Sequence, residues 1–202
     1  MNYDSVPLRD FKELNDWETV IFVYQSALKQ VETKIDILNG EFQHRHKYNP
    51  IEHVKSRIKT PESIVKKLKR HGYESSIENM VRYVNDIAGI RISWSFTSDI
   101  YLIADMISKQ NDLTILARRD YMKNPKKSGY RSYHMLVTTP VFLSDSIIDT
   151  KVEIQIRTVA QDFWATLEHK MHYKFEGDGP DYITKELREC ARYVAELDTR
   201  ME

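Results

Sequence analysis

The segment Val152-Glu153-Ile154-Gln155-Ile156-Arg157-Thr158 alternates strictly between apolar and polar side chains. That period of two commits it to a β-strand with Val152, Ile154 and Ile156 on one face and Glu153, Gln155 and Arg157 on the other. A chain holding such a strand must build a sheet with one face on the core and the other left for chemistry. Exposure gives no packing reason to set a carboxylate, an amide and a guanidinium in line. A metal and phosphate site needs a ligand, a donor and a cation close together. A half-exposed polar strand is the alternative.

The other elements follow from local signals. Asn15 or Asp16 caps a helix whose apolar positions Trp17, Val20, Ile21, Tyr24, Leu28, Val31, Ile35 and Leu38 keep a helical period; Asn39-Gly40 weakens it and Asn49-Pro50 stops the next segment. A strand over Ile51 to Lys59 precedes a basic helix opened by Thr60-Pro61 and ending near Gly72. Ser75 with Glu78 forms a capping box for a helix through Tyr83. A strand over Ile87 to Phe96, a helix from Ser98 or Asp99 to about Lys109, and a strand over Leu113 to Ala117 come next, then a loop from Asp120 to Gly129. Two more strands, about Arg131 to Thr139 and Lys151 to Arg157, precede two closing helices. Thr158 caps the first, with Val159, Phe163, Leu167 and Met171 inward. Pro180 opens the second, with Leu187, Val194 and Leu197 inward.

At 202 residues the chain fits one domain with a substantial core. Lys plus Arg and Asp plus Glu balance at 30 each, so no overall basic field points to a generic nucleic-acid partner. Cys190 is the single cysteine and no Cys/His cluster has zinc spacing, which predicts a reducing compartment. The polar stretch Met1 to Asp10 and the lack of a long apolar run predict neither a signal peptide nor a membrane span.

Local charge is far from balanced. Lys55, Arg57, Lys59, Lys66, Lys67, Lys69 and Arg70 fall in one strand and helix against Glu62, with Ser63, Lys67 and Arg70 on one helix face. That is an anion site or a solvated basic surface. Arg118, Arg119, Lys123, Lys126, Lys127 and Arg131 surround Ser128-Gly129-Tyr130, where glycine lets the loop bend around a ligand and Tyr130 offers a stacking face; a mobile solubilising loop is the alternative. Asp86, at the start of Ile87-Ala88-Gly89-Ile90-Arg91, is a helix-end residue or a metal ligand, and with Glu153 it makes a plausible two-carboxylate Mg²⁺ site. Glu168, His169 and His172 lack zinc-protease spacing and read as structural, and Cys190 reads as a packed small hydrophobe.

Three segments taken in order, Asp86-Ile87-Ala88-Gly89-Ile90-Arg91, Ser128-Gly129-Tyr130-Arg131-Ser132-Tyr133-His134 and Val152 to Thr158, resemble the synthetase domain of the RelA/SpoT family. The resemblance is strong over Ile51 to Lys174, and the chain looks like a stand-alone small alarmone synthetase. It implies an α+β fold with a mixed, mostly antiparallel sheet of about five strands flanked by helices. It divides a single domain into an N-terminal helical region (1–49), a catalytic core (50–174) and a C-terminal helix (175–202).

The resemblance further implies a cytoplasmic bacterial enzyme that moves pyrophosphate from ATP to the 3′-hydroxyl of GDP or GTP, leaving AMP and ppGpp or pppGpp. By similarity Arg57 and Arg91 sandwich the adenine, and Lys59, Ser63, Lys67 and Arg70 hold the ATP phosphates. Asp86 binds Mg²⁺, while Glu153 serves as metal ligand, as base, or as both. Tyr130 stacks on guanine, with Lys126, His134 and Gln155 completing the acceptor site. No His-Asp dipeptide occurs, so alarmone hydrolysis is not expected. Asp162 stands where the product-stimulated branch would carry asparagine, which points to the RelP-like branch and little product activation. Homotetramers are implied, with Trp17 to Leu38 and Pro180 to Met201 as assembly surfaces. Two rivals remain. An AMP-transferring nucleotidyltransferase would show Gly-Ser followed by paired acids, absent here; a non-catalytic nucleotide sensor or RNA binder would not need both Asp86 and Glu153.

Overall fold

A computed structural model describes residues 16–49, 51–175 and 180–202. The polar lead, Asn15 as an alternative cap and Pro50 as a stop lie outside the described residues. Helix α1 (Trp17–His46) starts at Asp16, whose carboxylate accepts from the Thr19 amide at 2.7 Å and the Thr19 hydroxyl at 2.6 Å. Val20, Tyr24, Leu28, Val31, Ile35, Leu38 and Phe42 are buried on one stripe. The expected weakening at Asn39-Gly40 does not occur. Gly40 is exposed, and its cost of about 1 kcal/mol relative to Ala is offset by the buried residues on the opposite side of the same turns. The helix ends instead at Lys47, in the left-handed region with φ 63°.

Five strands form one sheet in the order β1-β2-β5-β4-β3: β1 (Ile51–Ile58), β2 (Ala88–Trp94), β3 (Thr114–Asp120), β4 (Tyr133–Phe142) and β5 (Ile147–Thr158). Only β2 and β5 run parallel; the other neighbours are antiparallel. The sheet is mixed and mostly antiparallel, as expected. Ile90, Ile92, Val152, Ile154, Ile156, Met135 and Val137 are buried on the core face, which α1 and α4 (Thr97–Ser108) cover.

Several boundaries move. Ser76, not Ser75, caps α3 (Ile77–Tyr83), accepting from the Asn79 amide at 3.2 Å. The α4 helix starts at Thr97 without a side-chain cap from its own turn, and Glu202 Oε1 takes the Ser98 amide at 2.8 Å instead. Strand β3 runs on to Asp120, so Arg118 and Arg119 belong to a strand and not to the loop. They alternate: Arg118 donates to the Ser108 hydroxyl on the helix-covered side, and Arg119 faces the open side.

The inward face expected for α5 (Val159–Lys174) is wrong over its first three positions, and only Met171 is partly buried. Val159, Phe163 and Leu167 are exposed, Phe163 by 65%, while Gln161, Asp162, Trp164 and Ala165 are buried. The physical reason is the mixed surface beneath: Asp162 faces Arg91 and Arg157, Gln161 bonds Thr158 and Asp198, and Trp164 and Ala165 pack with Tyr130 and Ala191. On α6 (Asp181–Met201), with Pro180 as the N-cap, Leu187 and Val194 are partly buried around Ala191, but Leu197 is exposed. Cys190 is exposed too, one residue off the packed face.

Candidate active site

Cross-strand register sets functional side chains in rows on the open face. Lys55 pairs with Arg91, Arg91 with Gln155, Gln155 with His134, and His134 with Arg119. The adjacent row runs from Arg57 through Gly89 to Glu153. Because side chains alternate along each strand, all of these point to the same side. Gly89 has no side chain and leaves the gap between Arg57 and Glu153, where a pocket of about 180 Å³ is lined by both arginines, Asp86, Glu153 and Gln155. It adjoins a cleft of about 490 Å³ that also reaches Lys126, Tyr130, His134 and Arg157.

Asp86 meets Lys59 Nζ and Lys67 Nζ, each at 2.7 Å. Burial pushes its carboxyl up, but the two ammonium hydrogen bonds more than offset this and bring it to about 2. The segment just before Asp86 is pinned by Lys151. This side chain is 2% exposed and donates to the Asn85 side chain at 2.8 Å and the Arg82 carbonyl at 3.1 Å. Burial lowers its ammonium to about 8.

Glu153 Oε2 accepts from Gln155 Nε2 at 2.9 Å, and Oε1 lies 3.7 Å from His134 Nδ1. Burial raises its carboxyl, yet the His134 and Gln155 contacts leave it below the usual carboxylate range. Both carboxylates are therefore held ionised. Among the described residues no group of three or more His, Cys, Asp or Glu could hold a metal. Two carboxylates on one cleft wall nevertheless fit Mg²⁺, which usually takes one or two and completes its shell with phosphate oxygens and water.

Arg157 is 1% exposed at the back of the cleft. Its Nη2 donates to Gln155 Oε1 at 2.7 Å and to the Tyr130 hydroxyl at 3.1 Å, while Nη1 lies 3.5 Å from Asp162. Asp162 also approaches Arg91 at 3.4 Å and Lys55 at 3.9 Å, so this acid balances three cations. Tyr130 is 9% exposed, with Lys126 Nζ 4.7 Å and Arg157 Cζ 5.3 Å from its ring centre. Both its loop and its ring are more committed than expected. Gly129, at φ 95°, presses so closely on Ala191 of α6 that an added Cβ would lie 2.5 Å from the Ala191 Cβ. Its freedom serves loop docking.

Of the residues singled out in the sequence, Arg57, Asp86, Arg91, Lys126, Tyr130, His134, Glu153 and Gln155 line the cleft. Lys59 and Lys67 reach it through Asp86. Ser63 and Arg70 are exposed on α2 (Pro61–Arg70) and line neither pocket. Arg119, Arg157, Glu168, His169 and Lys170 also line the cleft. For Arg157 the signal was its place in the alternating strand. For Glu168 and His169, read as structural, it was only a polar turn of α5 following Ala165-Thr166.

The family described as a region found in RelA/SpoT proteins matches residues 56–178. The chain belongs to the RelA/SpoT family. This RelA/SpoT chain is 45% identical over 93% of its length, and 90% of the relative's, to GTP pyrophosphokinase YwaC of Bacillus subtilis strain 168. Its fold is similar to the crystal structure of small alarmone synthetase 2 from B. subtilis, with a TM-score of 0.83 and 44% identity over 92% of this chain and 96% of that one. Small alarmone synthetase 1 from B. subtilis, bound to its product pppGpp, superposes with a TM-score of 0.85 and 34% identity over 92% and 94% of the two chains.

Proposed function

We propose that this chain is a GTP pyrophosphokinase that transfers the β,γ-pyrophosphate of ATP to the 3′-hydroxyl of GDP or GTP, releasing AMP and making ppGpp or pppGpp. The observation that carries this reading is the pair Asp86 and Glu153 set between two banks of cations on one sheet face. Arg57, Arg91, Lys59 and Lys67 stand on one side and Lys126 and Arg119 on the other, with Arg157 at the back. Two polyphosphates repel each other, and fixed cations on both sides lower the cost of bringing them in line. The similarity to YwaC and to the pppGpp-bound synthetase supports the same reading.

The roles are those that the family resemblance implies, and the positions of these residues support them. Arg57 and Arg91 flank the pocket above Gly89 and hold a purine between guanidinium planes. Lys59 and Lys67, now on Asp86, turn to the ATP phosphates, with Ser63 and Arg70 further out along α2. Mg²⁺ held by Asp86 and Glu153 would neutralise phosphate charge. Glu153 serves as metal ligand, as the base that takes the proton of the acceptor hydroxyl, or as both in turn. Guanine stacks on Tyr130 once Lys126 moves from the ring to the acceptor phosphates, and His134 and Gln155 border that site.

The enzyme acts in a bacterial cytoplasm, lacks alarmone hydrolase activity and assembles as a homotetramer. It also shows little product activation, because Asp162 brings a negative charge among Lys55, Arg91 and Arg157. No helix of the described residues is long and apolar enough to cross a membrane.

The test is incubation with Mg²⁺, GDP and ATP labelled at the β-phosphate. Label in a guanosine tetraphosphate supports the proposal. AMP transfer points to a nucleotidyltransferase, and binding without turnover points to a sensor. Phosphate release from ppGpp with Mn²⁺ contradicts the synthesis-only reading, and a rate raised by added pppGpp contradicts the regulatory one.

A further inference from the structure

Two arms leave one nitrogen of Arg157 toward the two oxygens of Glu153: one is hydrogen-bonded throughout, and the other ends in a 3.7 Å contact between His134 and the carboxylate. In the first, Arg157 Nη2 donates to Gln155 Oε1 at 2.7 Å and Gln155 Nε2 donates to Glu153 Oε2 at 2.9 Å. The orientation of that amide is forced, because a guanidinium can only donate and a carboxylate can only accept. In the second, Arg157 Nη2 donates to the Tyr130 hydroxyl at 3.1 Å, the hydroxyl meets His134 Nε2 at 2.9 Å, and His134 Nδ1 faces Glu153 Oε1 at 3.7 Å.

The same logic runs along this second arm. Tyr130 accepts from Arg157 and has one proton of its own to place. Ser132, the other hydroxyl within reach, sends its own proton to the Ile156 carbonyl at 3.1 Å. His134 Nε2 is the stronger acceptor at short range. Receiving that proton leaves neutral His134 with its hydrogen on Nδ1, aimed at Glu153.

We infer that the Tyr130 hydroxyl, separately from the ring that stacks on a base, is a positioning group. It selects the Nδ1–H tautomer of His134, so that an N–H rather than a lone pair faces Glu153 Oε1 at 3.7 Å, ready to close on the carboxylate that Gln155 already holds by its other oxygen. This rests on the proposed pyrophosphate transfer for its catalytic consequence, but not for its structural one. The geometry supports a rigid arrangement: Tyr130 packs with Trp164, Ala165 and Ala191, so its hydroxyl arrives from a fixed platform. The arm also joins the acceptor side of the cleft to the reacting carboxylate, since Lys126 and Tyr121 pack on the same ring and Arg119 sits opposite His134 in the register.

The test is Y130F, which keeps the ring, its packing and its stacking face and removes the hydroxyl alone. If the hydroxyl positions Glu153, kcat falls about ten- to a hundredfold while KM for GDP stays within about twofold, the signature of lost alignment rather than lost binding. Histidine-selective ¹⁵N NMR of wild type and Y130F, with the His134 signal assigned by its loss in H134Q, supplies a readout independent of turnover. Wild type should show the Nδ1–H tautomer and Y130F a mixture or the reverse. Unchanged kcat, a rise in KM alone, an Nε2–H tautomer in wild type, or a tautomer unaffected by Y130F each overturns the inference. Should wild type make no guanosine polyphosphate, the proposed function fails by itself and the tautomer comparison still decides this one.

Discussion

Arg157 concentrates the physics of the site in one side chain. A guanidinium at 1% exposure is tolerable only because it gives hydrogen bonds to Gln155 and Tyr130 and faces Asp162; its Nε and Nη1 make no hydrogen bond, and burial lowers its pKa. Truncation empties a packed site, takes the buried one of three cations from Asp162 and leaves the Tyr130 hydroxyl with His134 alone. R157A should lose about 3 kcal/mol of stability in denaturant unfolding as well as activity. Lys67 presents the opposite case. Asp86 keeps Lys59 when Lys67 is removed, so K67A should fold normally. It should raise KM for ATP about tenfold in steady-state kinetics, near 1.4 kcal/mol of lost phosphate contact. These residues differ in how far the sequence revealed them. Glu153, Gln155 and Arg157 were legible because two-residue periodicity puts them in line. The pairing of Lys59 and Lys67 with Asp86 spans separate elements, and nothing local encodes it.

The junction of β5 and α5 is a reciprocal cap. The Thr158 hydroxyl accepts from the Gln161 amide at 3.1 Å, and Gln161 Oε1 accepts from the Thr158 amide at 3.1 Å. Asp198 of α6 then ties both, accepting from Thr158 Oγ1 at 2.9 Å and Gln161 Nε2 at 2.8 Å. Burial holds the Asp198 carboxyl above its ordinary value, against the pull of those hydrogen bonds. An acid whose folded pKa is raised contributes most below its unfolded value and loses that contribution as pH rises through the folded one. D198N keeps the acceptor without the charge. Its melting temperature should gain on that of wild type as pH rises from about 4 to about 6. D198A leaves two donors unsatisfied and should cost about 1 kcal/mol. The Thr158 cap was readable in the sequence, since its signal is local. The inner face of α5 was not, because hydrophobic periodicity marks where apolar residues go only when the surface beneath is apolar.

For the molecule as a whole, one side of the sheet is sealed by α1 and α4 and the other carries charge, which reconciles a neutral chain with a strongly charged cleft. Apolar residues are exposed on both closing helices: Val159, Phe163 and Leu167 on α5, and Tyr193, Leu197 and Met201 on α6. A surface of this kind suits self-association. Light scattering after size exclusion should give about four times the 23.9 kDa chain mass, and F163D should shift it to a smaller species. The mixed, mostly antiparallel sheet was legible only through family resemblance, and the strand order with its parallel β2–β5 pair, which brings Asp86 and Glu153 to one cleft, was not, because periodicity specifies elements and not their neighbours.

Under the proposed function these two carboxylates serve pyrophosphate transfer between nucleotides. The most direct measurement follows all phosphorus-containing products by ³¹P NMR when wild type and E153Q are each given Mg²⁺, ATP and GDP. AMP and ppGpp appearing in equal amounts, with E153Q slower by at least about a hundredfold, is the predicted result. ADP with orthophosphate as the products, or an E153Q as fast as wild type, would contradict it.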